Sequence, residues 1–362
     1  MLPSRKEWKF MTRKQETGFT LMETMVSLVV LLVVSAIVMG GMNQMMQTQG
    51  TIANRTEMHT SVRGATELME QEIGQAGKVS LQPGAPAGGW LMTTQIIPPL
   101  PDAPFTPNLV QFSGGLTTLF DNEQLLVDTG TNQETITITC PVPGTCTNTW
   151  TAGPFYNSHA ANVPISTPGA FAMGVVPPVT ANAAIGYPGF PNGSTATTLK
   201  LFGDINGDGN MLYVEYSCVQ GTPAAPGFLY RNQMAFDAAA KPGVAPSMAV
   251  LTSLGTNPND PNGNVVPCFT YQVQTVGICP GALGALTPSA ITSLQCMYVT
   301  DVAVTLTEQT QNADPQTHQI QSETKALLNV APRNVFDAYL LARQDYKNRV
   351  QPMPLKTFNL LP

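Results

Sequence analysis

The most constraining feature of this chain is an uncharged, mostly apolar run near its N-terminus. Thr24 to Met42 are nineteen residues without a charged side chain, and about 20 apolar residues are what a helix needs to cross a hydrocarbon core of roughly 30 Å. One carboxylate, Glu23, stands directly before this run. Because a carboxylate inside such a segment costs roughly 2.5–3.5 kcal/mol on insertion scales, its presence predicts a partner for Glu23.

The residues that open this segment, Gly18-Phe19-Thr20-Leu21-Met22-Glu23, resemble the start of type IV prepilins, where GFTLxE precedes a hydrophobic helix. The resemblance implies that a membrane peptidase cleaves after Gly18 and methylates Phe19. It also implies that Glu23 pairs with the N-terminal amine of a neighbouring subunit in a filament. A secretory signal peptide fits less well, because its apolar region would be too long and would contain Glu23. A plain membrane anchor is the other alternative.

Residues 1–18 form the predicted leader. Its charged residues are mostly basic, with Arg5, Lys6, Lys9, Arg13 and Lys14 against Glu7 and Glu16. Positive charge before an apolar helix holds that end in the cytoplasm. A start at Met11 would leave a leader of eight residues that still carries two basic side chains. The sequence is compatible with a start at Met1 or at Met11.

The helix is predicted to continue beyond the membrane, with residues 19–42 as its transmembrane or filament-core part and 43–77 as an amphipathic continuation. Gly40-Gly41 predicts a bend or local melting point, since each glycine lowers helix stability by ~1 kcal/mol. Apolar residues then recur at Met45, Ile52, Met58, Val62, Ala65, Met69, Ile73 and Ala76. From Met58 the spacing is three or four residues, which predicts a stripe packed on the head's own sheet. Charged residues lie mostly off that stripe, at Arg55, Glu57, Arg63, Glu67, Glu70 and Glu72. Gly77 is the predicted stop.

Two further segments are similar to PilW-like minor pilins and to the related J-type pseudopilins of type II secretion. The helix closes on Glu72-Ile-Gly-Gln-Ala-Gly77, which resembles the acidic-Ile/Leu-x-x-Ala-Gly helix end of those proteins. Arg333-Asn334 resembles their short "RN" ending, although here twenty-six residues follow Phe336. The resemblance implies a pilin-like α+β fold, in which a long N-terminal helix packs on an antiparallel β-sheet head with long Pro/Gly-rich loops.

Residues 78–362 are the predicted extracytoplasmic, β-rich head. Only 11% of the chain is charged, and Gly and Pro number 31 each, which favours a loop-rich head over a cytosolic α/β enzyme. Strands are predicted at Gln124–Asp128, Thr135–Cys140, Thr197–Phe202, Met211–Cys218, Cys268–Val276, Cys296–Thr307 and Glu323–Val330. Pro98–Pro107 and Pro164–Pro191 are expected to be long loops.

Six cysteines, all beyond the apolar helix, predict disulfides in a head outside the cytoplasm. Fifteen pairings are possible in principle. We expect the local pairs Cys140–Cys146 and Cys268–Cys279, with Cys218 joining Cys296 across a sheet. No CxxC spacing or histidine cluster indicates zinc.

One segment matches the calcium-loop template D-x-[DN]-x-[DN]-G-x5-E. Its candidate ligands are Asp204, Asn206, Asp208, the carbonyl of Asn210, and Glu215. Oxygen atoms at alternate positions and a glycine at the sixth suit calcium. The flanking residues read as strands rather than EF-hand helices. The same letters therefore also fit a hairpin turn, in which Glu215 would be an outward-facing strand residue.

No sequence motif indicates catalysis or nucleic-acid binding. HExxH, GxSxG and a phosphate loop do not occur. The three histidines, His59, His159 and His318, are expected to be solvated. The net charge is −6 and the leader holds the only basic cluster, so a broad nucleic-acid-binding face is not expected. Calcium is the one cofactor that the sequence suggests.

These observations predict a structural minor pilin rather than an enzyme. Its expected partners are the prepilin peptidase, the inner membrane and other major and minor pilins. It would be a single-pass inner-membrane protein before assembly and then part of a surface pilus, near the tip because its head is large. A J-type pseudopilin of type II secretion is the alternative within the class. A membrane-anchored periplasmic enzyme or binding protein is the alternative from another class.

Overall fold

A computed structural model describes residues 18–100, 103–114, 116, 118–141, 146, 150–185, 189–276, 296–354, 357 and 360. It begins with a single long helix, α1 (Leu21–Gln75, 55 residues), which is about 80 Å long at 1.5 Å per residue. The helix continues through Gly40 and Gly41, so the local melting predicted there is absent. Gly77 ends it with φ = 86°, a left-handed conformation that glycine adopts without strain.

The second half of α1 packs on a seven-stranded antiparallel sheet. Six strands follow the order β11-β12-β10-β9-β8-β7, and β13 pairs with β12. Their bounds are β7 (Thr198–Gly203), β8 (Leu212–Val219), β9 (Gly227–Ala235), β10 (Ala249–Leu254), β11 (Phe269–Val276), β12 (Cys296–Gln309) and β13 (Ser322–Val330). The five strands predicted within this sheet are therefore confirmed, with bounds that differ by one or two residues.

The apolar stripe of α1 forms one side of the main hydrophobic core. Val62, Ala65, Met69 and Ile73 are buried there against the large sheet. This confirms the predicted packing from Met58 onwards. Met45 and Ile52 are exposed instead, because α1 has already left the sheet at their level.

A second, smaller sheet lies in the segment that the sequence analysis described mainly as loops. Its order is β1-β5-β2-β3-β4. The strands are β1 (Leu91–Met92), β2 (Gln124–Val127), β3 (Glu134–Thr139), β4 (Thr151–Gly153) and β5 (Val163–Ser166). Leu125, Val127, Ile136 and Ile138 are completely enclosed in its own core. Only β2 and β3 were predicted. The other three strands have two to four residues, and strands so short show little or no hydrophobic period.

The C-terminal residues tie the two sheets and the helix together. A second helix, α2 (Arg333–Arg343), precedes β14 (Val350–Gln351), which pairs in parallel with β6 (Ala170–Phe171). The buried Gln351 side chain accepts from the Gln124 amide at 2.9 Å and donates to the Gln124 carbonyl at 2.7 Å. It also donates to the Pro168 carbonyl at 3.1 Å. The residues beyond the "RN" ending are therefore part of the folded head.

Asn334 of that ending caps the long helix. Its Nδ2 donates to the carbonyls of Gln75 and Ala76, at 3.1 and 3.3 Å, and so satisfies groups left unpaired at a helix C-terminus. The backbone is crowded here. A Cβ on Gly174 would lie 2.2 Å from the Gly77 Cα, so this approach requires glycine.

The disulfides only partly match the sequence prediction. Cys140 and Cys146 are bonded, as expected. Cys218 is bonded to Cys268, so the predicted pairs Cys268–Cys279 and Cys218–Cys296 are wrong. Cys279 itself and the Cys296 side chain lie outside the described residues.

Strand pairing explains the Cys218–Cys268 bond. The amide of Cys218 donates to the Thr197 carbonyl, and the amide of Phe269, next to Cys268, donates to the Ala196 carbonyl. The same short segment thus draws both cysteines together. Cys296 is the cross-strand partner of Val276, at the far end of β11 from Cys268.

We predict that peptide mapping under non-reducing conditions recovers a Cys218 peptide linked to a Cys268 peptide. Since these two bonds use four of the six cysteines, alkylation before reduction should label no more than two. A linked Cys268–Cys279 peptide, or six alkylated cysteines in protein from the periplasm, would contradict the observed topology.

Candidate functional site

The predicted cleavage site stands just outside the start of α1. Thr20 is the N-cap, with φ −74° and ψ 149°, and its Oγ1 accepts from the Glu23 amide at 3.3 Å. The Glu23 carboxylate in turn accepts from the Thr20 amide at 3.4 Å. This reciprocal capping box is a strong helix start. It leaves Gly18 and Phe19 exposed in non-helical backbone, where a protease can reach the peptide bond between them.

The first half of α1 is exposed and is not packed against the rest of the described chain. Its best 18-residue window has a mean hydropathy of 2.6, and none of that window is buried by the rest of the chain. Large apolar side chains from Leu21 to Met46 are all more than half exposed. A core helix of a soluble protein would be covered, so this surface requires lipid or other protein chains around it.

Glu23 carries the only ionisable side chain between Phe19 and Met42. Among the described residues, its carboxylate has hydrogen bonds only with Thr20 and no ion pair. Its position in the first helical turn favours a negative charge, because the helix dipole is positive there. A positive partner is nevertheless missing from the described chain. Cleavage after Gly18 would create a cationic amine on Phe19, only four residues away.

Residues 13–39 match the family model described as the prokaryotic N-terminal methylation motif. The chain carries a prepilin-type methylation motif. No curated protein and no solved structure matches the chain. The motif covers 27 of the 362 residues, including Gly18, Phe19 and Glu23. Together with the bare helix it supports a type IV pilin-like protein that is processed by prepilin peptidase and anchored in a membrane.

Glu215 is not brought together with the other four candidate calcium residues, which share the turn after β7. In the β7–β8 pair, Glu215 lies opposite Lys200, four residues before Asp204, which is about 13 Å along a strand. Asp204 is buried, and its carboxylate accepts from Lys78 Nζ at 2.8 Å, Ser80 Oγ at 2.7 Å and the Gly209 amide at 3.2 Å. Burial alone would raise the pKa of Asp204, but these hydrogen bonds and the Lys78 charge hold it below its usual value.

Glu215 is not the outward-facing residue expected from the hairpin alternative either. It is buried, accepts from the Tyr213 hydroxyl at 2.7 Å and pairs with Lys241. Among the described residues no group of three or more Cys, His, Asp and Glu side chains is arranged for a metal. Glu215 is therefore not placed to complete the calcium template, and the 204–211 segment forms the turn between β7 and β8.

We predict that calcium leaves the thermal stability of the full-length chain in detergent unchanged to within about 1 °C. Lys78 already neutralises Asp204, and Glu215 lies elsewhere on β8, so calcium would have to displace existing contacts to collect these carboxylates. An ion that bound only the folded state would contribute ~2.7 kcal/mol at 100 times its dissociation constant, and roughly 2–4 °C per kcal/mol. A rise of several degrees over chelator, abolished by Asp208→Ala, would contradict the turn assignment.

Neither His159 nor Glu72 was predicted to be buried. His159 was expected to be solvated, but it is buried between two carboxylates. Its Nδ1 lies 2.9 Å from Asp128 Oδ2, and its Nε2 lies 2.6 Å from Glu134 Oε1. The hydrogen bond from His159 holds the pKa of Asp128 below its usual value. Since both ring nitrogens face carboxylates, neither is available as a catalytic base, and the cluster closes the β2–β3 turn.

The second of these residues is Glu72, placed with the charged residues off the stripe of α1. It is buried in the core contact with the sheet and accepts from the Tyr216 hydroxyl at 2.6 Å. Arg231 Nε donates to both of its oxygens, at 2.9 and 3.0 Å. Its neighbours Met69 and Ile73 belong to the stripe, which is the only pattern that could have indicated burial.

Proposed function

We propose that this chain is a minor pilin of PilW type in a bacterial type IV pilus. The observation that carries the proposal is the methylation motif on a capped helix whose apolar half the chain leaves uncovered. A structural subunit needs such a surface, because its helix must lie first in lipid and then among other helices. The likeness of the helix end and of Arg333-Asn334 to PilW-like proteins supports the finer assignment.

Assembly would proceed without catalysis by this chain. After cleavage the helix waits in the inner membrane, with the head on the extracytoplasmic side. The Phe19 amine and the Glu23 carboxylate of neighbouring subunits then neutralise each other as the helices enter the apolar filament core. Such a pair is favoured there because each charge alone is expensive to remove from water.

The size of the head supports a low-abundance, tip-proximal position. The head contains two sheets with separate cores, whereas a compact repeating subunit would have a smaller head to fit around a filament. The partners are then other major and minor pilins, together with prepilin peptidase in the inner membrane. Assembled chains would lie in the surface pilus.

The alternatives differ in what surrounds the gene and in what the processed chain does. A J-type pseudopilin would share the motif and helix but be encoded beside type II secretion genes, whereas pilin-like neighbours favour the pilus. A membrane-anchored enzyme or binding protein would keep its activity without entering any filament.

We predict that Glu23→Ala is processed normally but is depleted from sheared surface fibres by at least about tenfold, which corresponds to roughly 1.4 kcal/mol per subunit. Without Glu23 the neighbour's Phe19 amine enters the apolar core unpaired. Immunoblots of sheared and membrane fractions measure the distribution.

The matched control is Glu70→Ala, which removes an exposed carboxylate from the other half of α1 and should leave incorporation unchanged. Equal amounts of Glu23→Ala and wild-type chain in the fibres would contradict the pairing role.

A further inference from the structure

A group of carboxylates lies where α1 leaves the large sheet. Glu308 of β12 and Glu323 of β13 are direct cross-strand partners, an arrangement that is destabilising when both side chains are charged. Glu57 of α1 lies close enough to act on Glu308 through its charge. We call Glu57, Glu308 and Glu323, with Ser61 above them, the carboxyl joint.

The joint makes polar contacts between the helix and the sheet. Glu308 is 5% exposed, and its Oε2 accepts from the Ser61 hydroxyl at 2.7 Å. His59 contacts the Glu323 carboxylate. A cavity of about 90 Å³ is lined by Glu57, Ser61 and Glu308, so the packing beside Glu308 is incomplete. A negative charge on Glu308 would therefore be stabilised by the Ser61 hydroxyl and repelled by the carboxylates of Glu57 and Glu323.

The surrounding elements add little positive charge. Arg55 of α1 is engaged with Gln321 at 2.7 Å, and Lys325 of β13 is exposed. The third neighbouring strand, β10, has no ionisable residue. Burial first, and then the charges of Glu57 and Glu323, raise the pKa of Glu308 to about 7, although the Ser61 hydrogen bond opposes the shift.

Below the joint, the hydrogen bonds that the described residues show between α1 and the head come from the β12–β13 connection. Gln316 donates to Thr48 Oγ1 at 3.0 Å, and Pro315 closes on Gly50, where a Cβ would lie 3.0 Å from its Cγ. These exposed contacts are individually weak. Thr51 of α1 is also hydrogen-bonded to Asp314, a buried and ionisable residue of this connection. The joint is thus the point at which α1 passes from the large sheet to the β12–β13 connection, on the way to its apolar half.

We propose that the carboxyl joint is a pH-dependent latch, in which a protonated Glu308 keeps the middle of α1 docked on the sheet and loss of that proton releases it. The latch would control how far the head can move relative to the apolar half of α1. It depends on contacts within one chain, so it does not require that the chain enters a pilus.

The direction follows from proton linkage. Glu308 binds its proton more tightly in the docked state than in an opened one, where its pKa returns to about 4.5. Docking is thus favoured at low pH and weakens as the pH rises from about 4.5 through 7. With these values the opening constant of the joint should increase by about tenfold or more between pH 5 and pH 7.

Hydrogen exchange of the full-length chain in detergent micelles tests the latch locally. A global melting curve would mix in Glu123, a buried carboxyl of the small sheet whose pKa burial raises to about 8. Exchange rates of residues 57–62 are divided by the intrinsic chemical rates at each pH to give opening constants. In the wild type, the opening constant of residues 57–62 should be at least about tenfold larger at pH 7 than at pH 5. The opening constants of the amides around Met69 should not show this change.

Three variants test whether Glu308 causes the pH dependence of the opening constants. Glu308→Gln should remain protected at both pH values, with a change below about twofold. Glu323→Gln, a milder change at a partly exposed position, should reduce the pH response. Glu67→Gln alters an exposed carboxylate on the same helix that pairs with Arg63, and it should behave like the wild type. A wild type without pH response, or an unchanged response in both Glu308→Gln and Glu323→Gln, would overturn the proposal.

Discussion

The contact between the second half of α1 and the seven-stranded sheet supports the rest of the structure. Met69 and Ile73 are completely enclosed there, and burying one large apolar side chain contributes roughly 1.5–3 kcal/mol. Glu72 adds orientation, because its carboxylate must meet both Tyr216 and Arg231. A shift of the helix would leave a buried charge unpaired, at a cost of roughly 3–5 kcal/mol. Apolar burial thus supplies stability, and the ion pair selects the register.

That contact lets one helix have two different surroundings. Its second half is part of a globular core, and its first half receives no cover from the chain. The change occurs over the few turns at the carboxyl joint and the β12–β13 connection. At the other end of the helix, Asn334 caps α1, and Gln351 joins the C-terminal segment to the small sheet. The helix is therefore fixed firmly at its end and only lightly at its middle.

Several long, periodic elements were predictable from the sequence, although β9, with nine residues, was not predicted. Contacts between distant residues were not predictable. The spacing from Met58 to Ala76 predicts the buried stripe, and β7, β8, β11 and β12 each have enough residues to show a strand pattern. The small sheet was missed because its strands are short and its order is set by pairing across the chain. The Cys218–Cys268 bond likewise follows from a shared neighbour, Ala196-Thr197, that no cysteine spacing reveals.

The burial of Glu72 and His159 was likewise not predictable from the local sequence. Glu72 and His159 are buried because Arg231, Tyr216, Asp128 and Glu134 come from other strands and turns to meet them. The calcium template could not show that Lys78, which is distant in sequence, forms an ion pair with Asp204. By contrast, Gly18, Phe19 and Glu23 were recognisable because their pattern is local and is read by a peptidase from a short segment.

If prepilin peptidase processes the chain, the mature protein begins immediately before α1, and the mass of that protein tests this most directly. Top-down mass spectrometry of protein extracted from membranes of the native host should find a chain that begins at Phe19 and carries one methyl group on its α-amine. A chain that begins at Met1 or Met11, or that is cut near Ser35-Ala36 as a secretory signal would be, would contradict the account.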